Sequence, residues 1–330
     1  MNTSENNLIL FMDEIHPVLK QGLEKVGFKV ENYTSDSQLE NSFGWVVRSK
    51  YQINSTWIDK APNLRFIARA GSGTENIDVN YARKKGIEIF NSPEANRDAV
   101  AEHALGMLLS LMNHLFRCNA EVKQRIWRRK KNWGNEIKGK TVGIIGFGNM
   151  GSTFAKKLSS FECKILAYDK YKKGFSTSYV QETSLDEIFG QADIVSLHVP
   201  LTEETKYMAN ERFFKSFRKP IWFINTSRGA VCNTKDLLNA LKEGRVLGAA
   251  LDVLEWEDFS FEKFSLSNLP PLFDELAQIE NVIFSPHVAG WTYEAYEKHA
   301  YVLLEKIISW ANAVLKLNIN YDELFRKLKS

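Results

Sequence analysis

The chain has 330 residues, enough for about two domains, each able to bury a core without disulfides or a structural metal. Hydrophobic residues make up 44% and charged residues 25%, which excludes wholesale disorder. The net charge, 43 − 40 = +3, is too small to make the whole molecule a polyanion binder, so no nucleic-acid partner is expected.

Cys118, Cys163 and Cys232 lie far apart with no metal-ligand spacing. They read as free thiols in a reducing compartment, so a cytoplasmic location and no metal are expected. The segment up to Pro17 has no basic region before its short apolar run, so it is not expected to be a signal peptide. The longest apolar stretch, Ala99 to Phe116, contains Glu102, His103, Asn113 and His114. A bilayer span tolerates few such groups, so this is read as a buried helix and no membrane partner is expected.

In chain order, the pattern predicts strands over Leu8–Met12, Trp45–Arg48 and Leu64–Ala68, with a helix over His16–Gly27. A long helix starts at about Asp98, which can cap it. From residue 141 the alternation becomes regular. Thr141–Ile145 is strand-like and Met150–Phe161 helical. Lys164–Tyr168, Ile194–Val199, Ile221–Thr226, Gly248–Val253 and Val282–Ser285 follow as strands, mostly apolar on both faces. Such strands belong to a parallel sheet covered by helices on each side, so the chain reads as α/β, doubly wound. The segment Asp258–Leu276, with Pro270 and Pro271, is expected to be a surface loop. Boundaries near residues 97 and 290 divide the chain into 1–97 plus 291–330, a discontinuous domain, and 98–290.

Gly146, Gly148 and Gly151 form a GxGxxG motif after an apolar strand and at the start of a helix. A glycine-rich turn without a ligand is the plain alternative. The context favours a dinucleotide site, because the next strand ends at Asp169, 169 − 151 = 18 residues after the last glycine. Gly146 allows the turn, Gly148 lets a pyrophosphate approach, and Gly151 lets helix and strand pack closely. The pyrophosphate then meets the helix N-terminus. Asp169 accepts from ribose hydroxyls and repels a 2′-phosphate, which favours NAD. Lys170, Lys172 and Lys173 follow and are able to pair with a phosphate.

Three later segments place reactive side chains after strands: Arg228 in NTSRG (225–229), Asp252, Glu255 and Glu257 in LDVLEWE (251–257), and His287 in SPHVAGWT (285–292). Singly they read as a surface arginine, loop acids and a packed histidine. Together, on the rim of a nucleotide fold, they suit binding of a carboxylate and proton transfer.

With these segments, the chain from about Trp45 to Thr292 resembles the D-2-hydroxyacid dehydrogenases. VVRS (46–49), RAGSGTENID (69–78), VAEH (100–103) and LHVPLT (197–202) are in the expected order. The resemblance implies two Rossmann-like or flavodoxin-like domains with the active site in the cleft between them, NAD as cofactor, and a homodimer. It implies that Arg228 pairs with the substrate, that His287 exchanges the proton, and that Glu257 orients the imidazole and favours its protonated form. Gly146, Gly148, Asn149, Met150, Gly151, Asp169, His198, Pro200, Thr205, Thr226, Asp252, His287 and Gly290 are then the cofactor residues. The family's proline after the catalytic glutamate is replaced here by Asp258, so Glu255 and Asp258 are rivals to Glu257. The offset 257 − 228 = 29 matches the spacing usual in the family resembled, which favours Glu257.

The segment Trp127–Lys140 looks most like the 3-phosphoglycerate dehydrogenase branch. By that resemblance Arg48, Arg69, Gly71, Ser72, Gly73, Arg129 and Arg228 bind the substrate. Oxidation of 3-phosphoglycerate to 3-phosphohydroxypyruvate, a step of serine biosynthesis, is the expected reaction. Lactate, glycerate and glyoxylate are alternatives. An appended regulatory domain, which some members of that branch carry, is not expected. The basic run Lys123–Lys131, with Trp127 and Trp133 interleaved, offers a reading of a different class, a nucleic-acid patch, and the family resembled also includes NAD-sensing corepressors that act through protein partners; a solvated arm explains the run better.

Overall fold

The structure, a computed structural model, describes residues 7–257 and 268–329. Residues 7–96 and 291–329 make one compact unit, and residues 97–257 with 268–290 make a second.

The first unit holds five parallel strands, β1 (Leu8–Phe11), β2 (Lys29–Asn32), β3 (Ser42–Val47), β4 (Phe66–Arg69) and β5 (Glu88–Asn91), in the order β2-β1-β3-β4-β5. Alternate residues feed two cores, as the two-residue strand period requires. Ile9, Phe11, Val46, Phe66 and Ala68 meet the helices Pro17–Lys25 and Tyr293–Leu315 on one face. Leu10, Trp45, Val47 and Ile67 pack on the other.

The second unit holds seven parallel strands: β6 (Thr141–Ile145), β7 (Lys164–Tyr168), β8 (Gln181–Glu182), β9 (Ile194–Leu197), β10 (Ile221–Asn225), β11 (Val246–Leu251) and β12 (Val282–Phe284). Their order is β12-β11-β10-β9-β6-β7-β8. The order reverses beside β6, the switch point at which open α/β sheets bind ligands. The helix Arg97–Met112 packs on the helix Asn149–Leu158, through Ala101, Ala104 and Leu108 against Phe154, Ala155 and Leu158.

Two expectations need correction. The segment read as a loop to Leu276 contains the helix Pro271–Ala277, with a proline at its first position and Leu276 fully buried. Residues 258–267 of that loop lie outside the described residues. The apolar helix also stops at Met112: His114 adopts φ 53°, and a new helix, Leu115–Lys123, begins with Leu115 and Phe116 more than half exposed. Among the described residues, no helix is long and apolar enough to cross a membrane.

Candidate active site

The chain leaves β6 and turns directly into the helix Asn149–Leu158. Gly146 has φ +93°, and a Cβ on Gly151 would stand 2.0 Å from the Gly146 carbonyl oxygen, so only glycine closes this turn. Gly148 caps the helix without a side-chain hydrogen bond, and a Cβ there would meet nothing within 4 Å among the described residues. The N–H groups of Asn149, Met150 and Gly151 are first-turn donors at the positive end of the helix dipole, the set a pyrophosphate takes.

Asp169 follows β7. Its Oδ2 accepts from the Phe147 N–H at 2.8 Å, and Oδ1 accepts from the N–H groups of Tyr171 and Lys172, each at 2.9 Å. Burial acts to raise this carboxyl, but the three backbone donors and the Lys172 charge outweigh it and hold it below the usual carboxylate range. The nearby lysines have other partners. Lys170 pairs with Glu204, Lys172 Nζ donates to the Phe147 carbonyl at 3.1 Å, and Lys173 Nζ donates to the Asp169 carbonyl at 3.3 Å.

At the end of β9, His198 Nε2 lies 2.8 Å from Ser196 Oγ, and burial pushes its imidazole down to about 4. The Thr205 hydroxyl donates to the Pro200 carbonyl at 2.5 Å and accepts from the Thr202 N–H at 2.8 Å, closing that loop. Thr226, just past β10, has a buried hydroxyl with no hydrogen-bond partner among the described residues. An orphaned hydroxyl at the carboxyl end of a central strand is a group that a ligand satisfies. The uncapped helix start, the ionised Asp169 and this hydroxyl fit a dinucleotide.

Neighbouring strands β10, β11 and β12 carry Arg228, Glu257 and His287 on the loops that follow them. Buried Asn225 shapes the first loop. Its Oδ1 accepts from the Ser227 N–H at 3.0 Å and the Ser227 hydroxyl at 2.8 Å, and its Nδ2 donates to the Arg228 carbonyl at 3.1 Å. Arg228 Nη1 donates to the Ser227 carbonyl at 2.8 Å. A Cβ on Gly229 would stand 1.8 Å from the Leu254 carbonyl oxygen, so glycine lets the arginine loop touch the glutamate loop.

Glu257 Oε2 lies 2.7 Å from His287 Nδ1, and Oε1 accepts from the Leu254 N–H at 2.6 Å. Glu255 faces elsewhere, accepting from the Thr234 N–H at 2.9 Å and bonding to the Tyr207 hydroxyl. Asp258 lies outside the described residues. His287 itself has φ 53°, a left-handed conformation that a side chain rarely takes without support.

That support is Asp252, which is 1% exposed. Its carbonyl accepts from the His287 N–H at 2.8 Å. Its Oδ1 accepts from the Ser285 hydroxyl at 2.6 Å and the Val288 N–H at 3.0 Å, and Oδ2 accepts from the Ala289 N–H at 3.0 Å, next to Gly290. His103 Nε2 lies 2.8 Å from Ser285 Oγ. Asn225, Ser285 and the His103 contact were not singled out from sequence. The available signal was a polar residue ending or following an apolar strand, where burial demands partners.

In the first unit, Arg48, Arg69, Gly71, Ser72 and Gly73 lie at the carboxyl edge of β3 and β4. The Arg48 guanidinium carbon lies 4.8 Å from the Trp291 ring centroid and 5.7 Å from that of Tyr296. The Arg69 guanidinium covers Gly71, where a Cβ would stand 1.5 Å from Nη1. Ser92 accepts from the Gly71 N–H with its hydroxyl at 3.2 Å and donates its own N–H to the Gly71 carbonyl at 2.9 Å. Asn91 Nδ2 donates to the Ser72 carbonyl at 2.7 Å, and the Ser72 hydroxyl donates to Asn96 Oδ1 at 2.7 Å.

Arg129 belongs to neither loop group; it is exposed, beyond the helix Leu115–Lys123 of the second unit. Its neighbours are paired. Arg128 meets Glu121 at 2.5 Å, and Arg117 and Lys131 meet Glu280 at 3.1 and 3.2 Å.

Residues 105–289 match the family described as D-isomer specific 2-hydroxyacid dehydrogenase, NAD binding domain. A hydroxypyruvate reductase of Thermotoga maritima is 37% identical over 265 residues, covering 79% of this chain and 82% of that protein. A D-3-phosphoglycerate dehydrogenase of Archaeoglobus fulgidus is 34% identical over 272 residues, covering 82% of this chain and 49% of that protein. The crystal structure of D-lactate dehydrogenase from Aquifex aeolicus, complexed with NAD and lactic acid, aligns with a TM-score of 0.80 at 28% identity, over 94% of this chain and 97% of that one. The chain belongs to the D-isomer specific 2-hydroxyacid dehydrogenases. It is an NAD-dependent 2-hydroxyacid dehydrogenase or reductase.

Proposed function

We propose that Arg228, Glu257 and His287 carry the interconversion of a D-2-hydroxy acid and its 2-keto acid. The observation that supports this most is the 2.7 Å pair of His287 and Glu257, held at a sheet edge next to the loop of Arg228. NADH supplies the hydride in the reducing direction. The cofactor residues are those of the glycine turn, with Asp169 on the adenosine ribose and Thr226 and Asp252 toward the nicotinamide.

Arg228 pairs with the substrate carboxylate and draws charge onto the 2-oxygen as it becomes an alkoxide. His287 gives that oxygen its proton from Nε2, while Nδ1 stays on Glu257. In oxidation the imidazole takes the proton back. Because the Gly71 N–H is committed to Ser92 and to the Arg69 carbonyl, the backbone donors assigned to the substrate carboxylate are those of Ser72 and Gly73.

For the substrate we infer 3-phosphoglycerate and 3-phosphohydroxypyruvate, on the support of Arg48 and Arg69 at one sheet edge, since guanidinium groups suit phosphate. A second reading, an unphosphorylated acid such as hydroxypyruvate, is supported by the aromatic rings over Arg48, which bury part of that cation, and by the reductase relative. Oxidation of NADH by the pure protein with 3-phosphohydroxypyruvate, hydroxypyruvate and glyoxylate separates the two. The first requires kcat/KM highest for the phosphorylated acid and lowered by Arg48→Ala. Absence of turnover with every acid overturns the activity itself.

We also propose a homodimer. Trp127 and Trp133, each 75% exposed, share one segment of the second unit with exposed Leu115 and Phe116, and such apolar surface calls for cover. Light scattering that gives a monomer at micromolar concentration contradicts this. A nucleic-acid role loses support from the ion pairs of Arg128 and Lys131 within the basic run.

A further inference from the structure

The helix Tyr293–Leu315 carries a histidine that the chemistry above does not use. His299 is 9% exposed, on a helix that packs against β4 and β5. Its Nδ1 lies 2.6 Å from Ser92 Oγ, and Ser92 is fully buried just after β5. Ser92 holds both backbone polar groups of Gly71, so His299 holds the residue that fixes Gly71.

A second contact from the same helix runs in parallel. Lys306 is seven residues on, two turns along the same face. It donates to the Asn91 carbonyl at 2.8 Å and pairs with Glu94 at 2.6 Å. Asn91 in turn donates to the Ser72 carbonyl. One helix face therefore grips residues 91 and 92, and these grip residues 71 and 72.

We propose that His299 is a positioning residue: through Ser92 it sets the backbone at Gly71, and with it the direction of the Ser72 and Gly73 N–H groups that receive the substrate carboxylate. This rests on the assignment of those donors made above. The serine hydroxyl has one hydrogen and rotates freely unless a partner directs it. With the imidazole taking one side, a lone pair stays on the Gly71 N–H. Either neutral tautomer closes the contact. Burial, reinforced by the charges of Arg69 and Arg48 and opposed by Glu94 and the Ser92 backbone, pushes this imidazole down to about 4. The ring is therefore uncharged at neutral pH, and the link works by dipoles alone.

The test uses the full chain with NADH and the 2-keto acid that the wild type reduces best. His299→Leu keeps the bulk and removes the polar atoms. His299→Asn keeps a δ-position atom that can donate or accept. His299→Leu is expected to raise KM for the keto acid about tenfold, the effect of losing one buried hydrogen bond, with kcat and KM for NADH within about twofold. His299→Asn is expected to restore most of that KM. Ser92→Ala, a second route if the leucine variant does not fold, is expected to raise the same KM. An unmoved keto-acid KM in His299→Leu or Ser92→Ala, or an asparagine variant as impaired as the leucine one, overturns the proposal. A wild type that reduces no 2-keto acid overturns instead the reading on which it rests.

Discussion

At the carboxyl edge of the seven-stranded sheet, the loop that presents His287 is held by a charge. The buried carboxylate of Asp252 takes the Ser285 hydroxyl and the N–H groups of Val288 and Ala289 at once, and its carbonyl takes the N–H of His287. At the edge of the five-stranded sheet, the Gly71–Gly73 loop is held by contacts in series, His299 to Ser92 to Gly71 and Lys306 to Asn91 to Ser72, in which the side chains bonded to the loop, Ser92 and Asn91, are neutral. A carboxylate with several donors is a stiff anchor, because its loss strands them all; a chain of dipoles yields one link at a time. Proton transfer needs the stiffer placement, whereas a bound carboxylate tolerates adjustment. The first loop should therefore govern kcat and the second KM.

The largest effect belongs to His287→Ala, which should lower kcat in both directions by roughly 10²–10⁴-fold, the reach of general acid–base catalysis. Steady-state rates of keto-acid reduction and hydroxy-acid oxidation measure it. A loss in only one direction would remove His287 from the proton transfer.

Next is Asp252→Asn, which preserves size but turns one acceptor oxygen toward its donors as an NH2. Displacement of the His287 loop should lower kcat about 10²-fold, with the keto-acid KM moving far less. If KM carries the loss instead, the division of labour between the two loops fails.

Asp169 is a third anchor of the charged kind, holding the glycine turn through the Phe147 N–H. On the proposed assignment, Asp169→Ala removes the ribose acceptor and the repulsion of a 2′-phosphate together. The ratio of kcat/KM for NADPH to that for NADH should rise on the order of tenfold. An unchanged ratio separates Asp169 from the ribose.

The same contrast explains what the sequence discloses. In the second unit, the strands Thr141–Ile145 and Lys164–Tyr168 are read with their observed bounds, because both are central and apolar. The glycine turn and the segments of Arg228, Glu257 and His287 stand out because each needs an unusual residue within a short stretch. Strands β2 and β8 escape because they are short, polar edge strands with little alternation. The His299–Ser92 contact leaves no local trace, since its members are 207 residues apart and each is an ordinary residue for its own element. The helix Pro271–Ala277 is hidden by its two prolines, which suit a helix start as well as a loop.

The last prediction concerns stability at low pH, where each unit carries a histidine that desolvation holds neutral. His198 in the second unit and His299 in the first both stand at about 4, pushed there first by burial. An unfolded histidine takes its proton near 6.5. Above that pH neither state is protonated and nothing is lost. As pH falls from about 6.5 toward 4, the unfolded chain binds protons that the folded one refuses, so stability falls with pH and levels off below about 4. Near pH 5 each histidine should add about one proton to the uptake on unfolding, a slope of about 1.4 kcal/mol per pH unit, and about 3 kcal/mol over the whole window. His299→Asn abolishes the contribution of the first unit and leaves that of the second. Urea unfolding of both proteins between pH 6 and pH 4.5 should give a slope lower by about one proton in the variant, a difference from which the carboxylates common to both cancel. Equal slopes would mean that His299 is protonated in the folded chain, and the link to Ser92 would then be charged, like the anchor in the other unit.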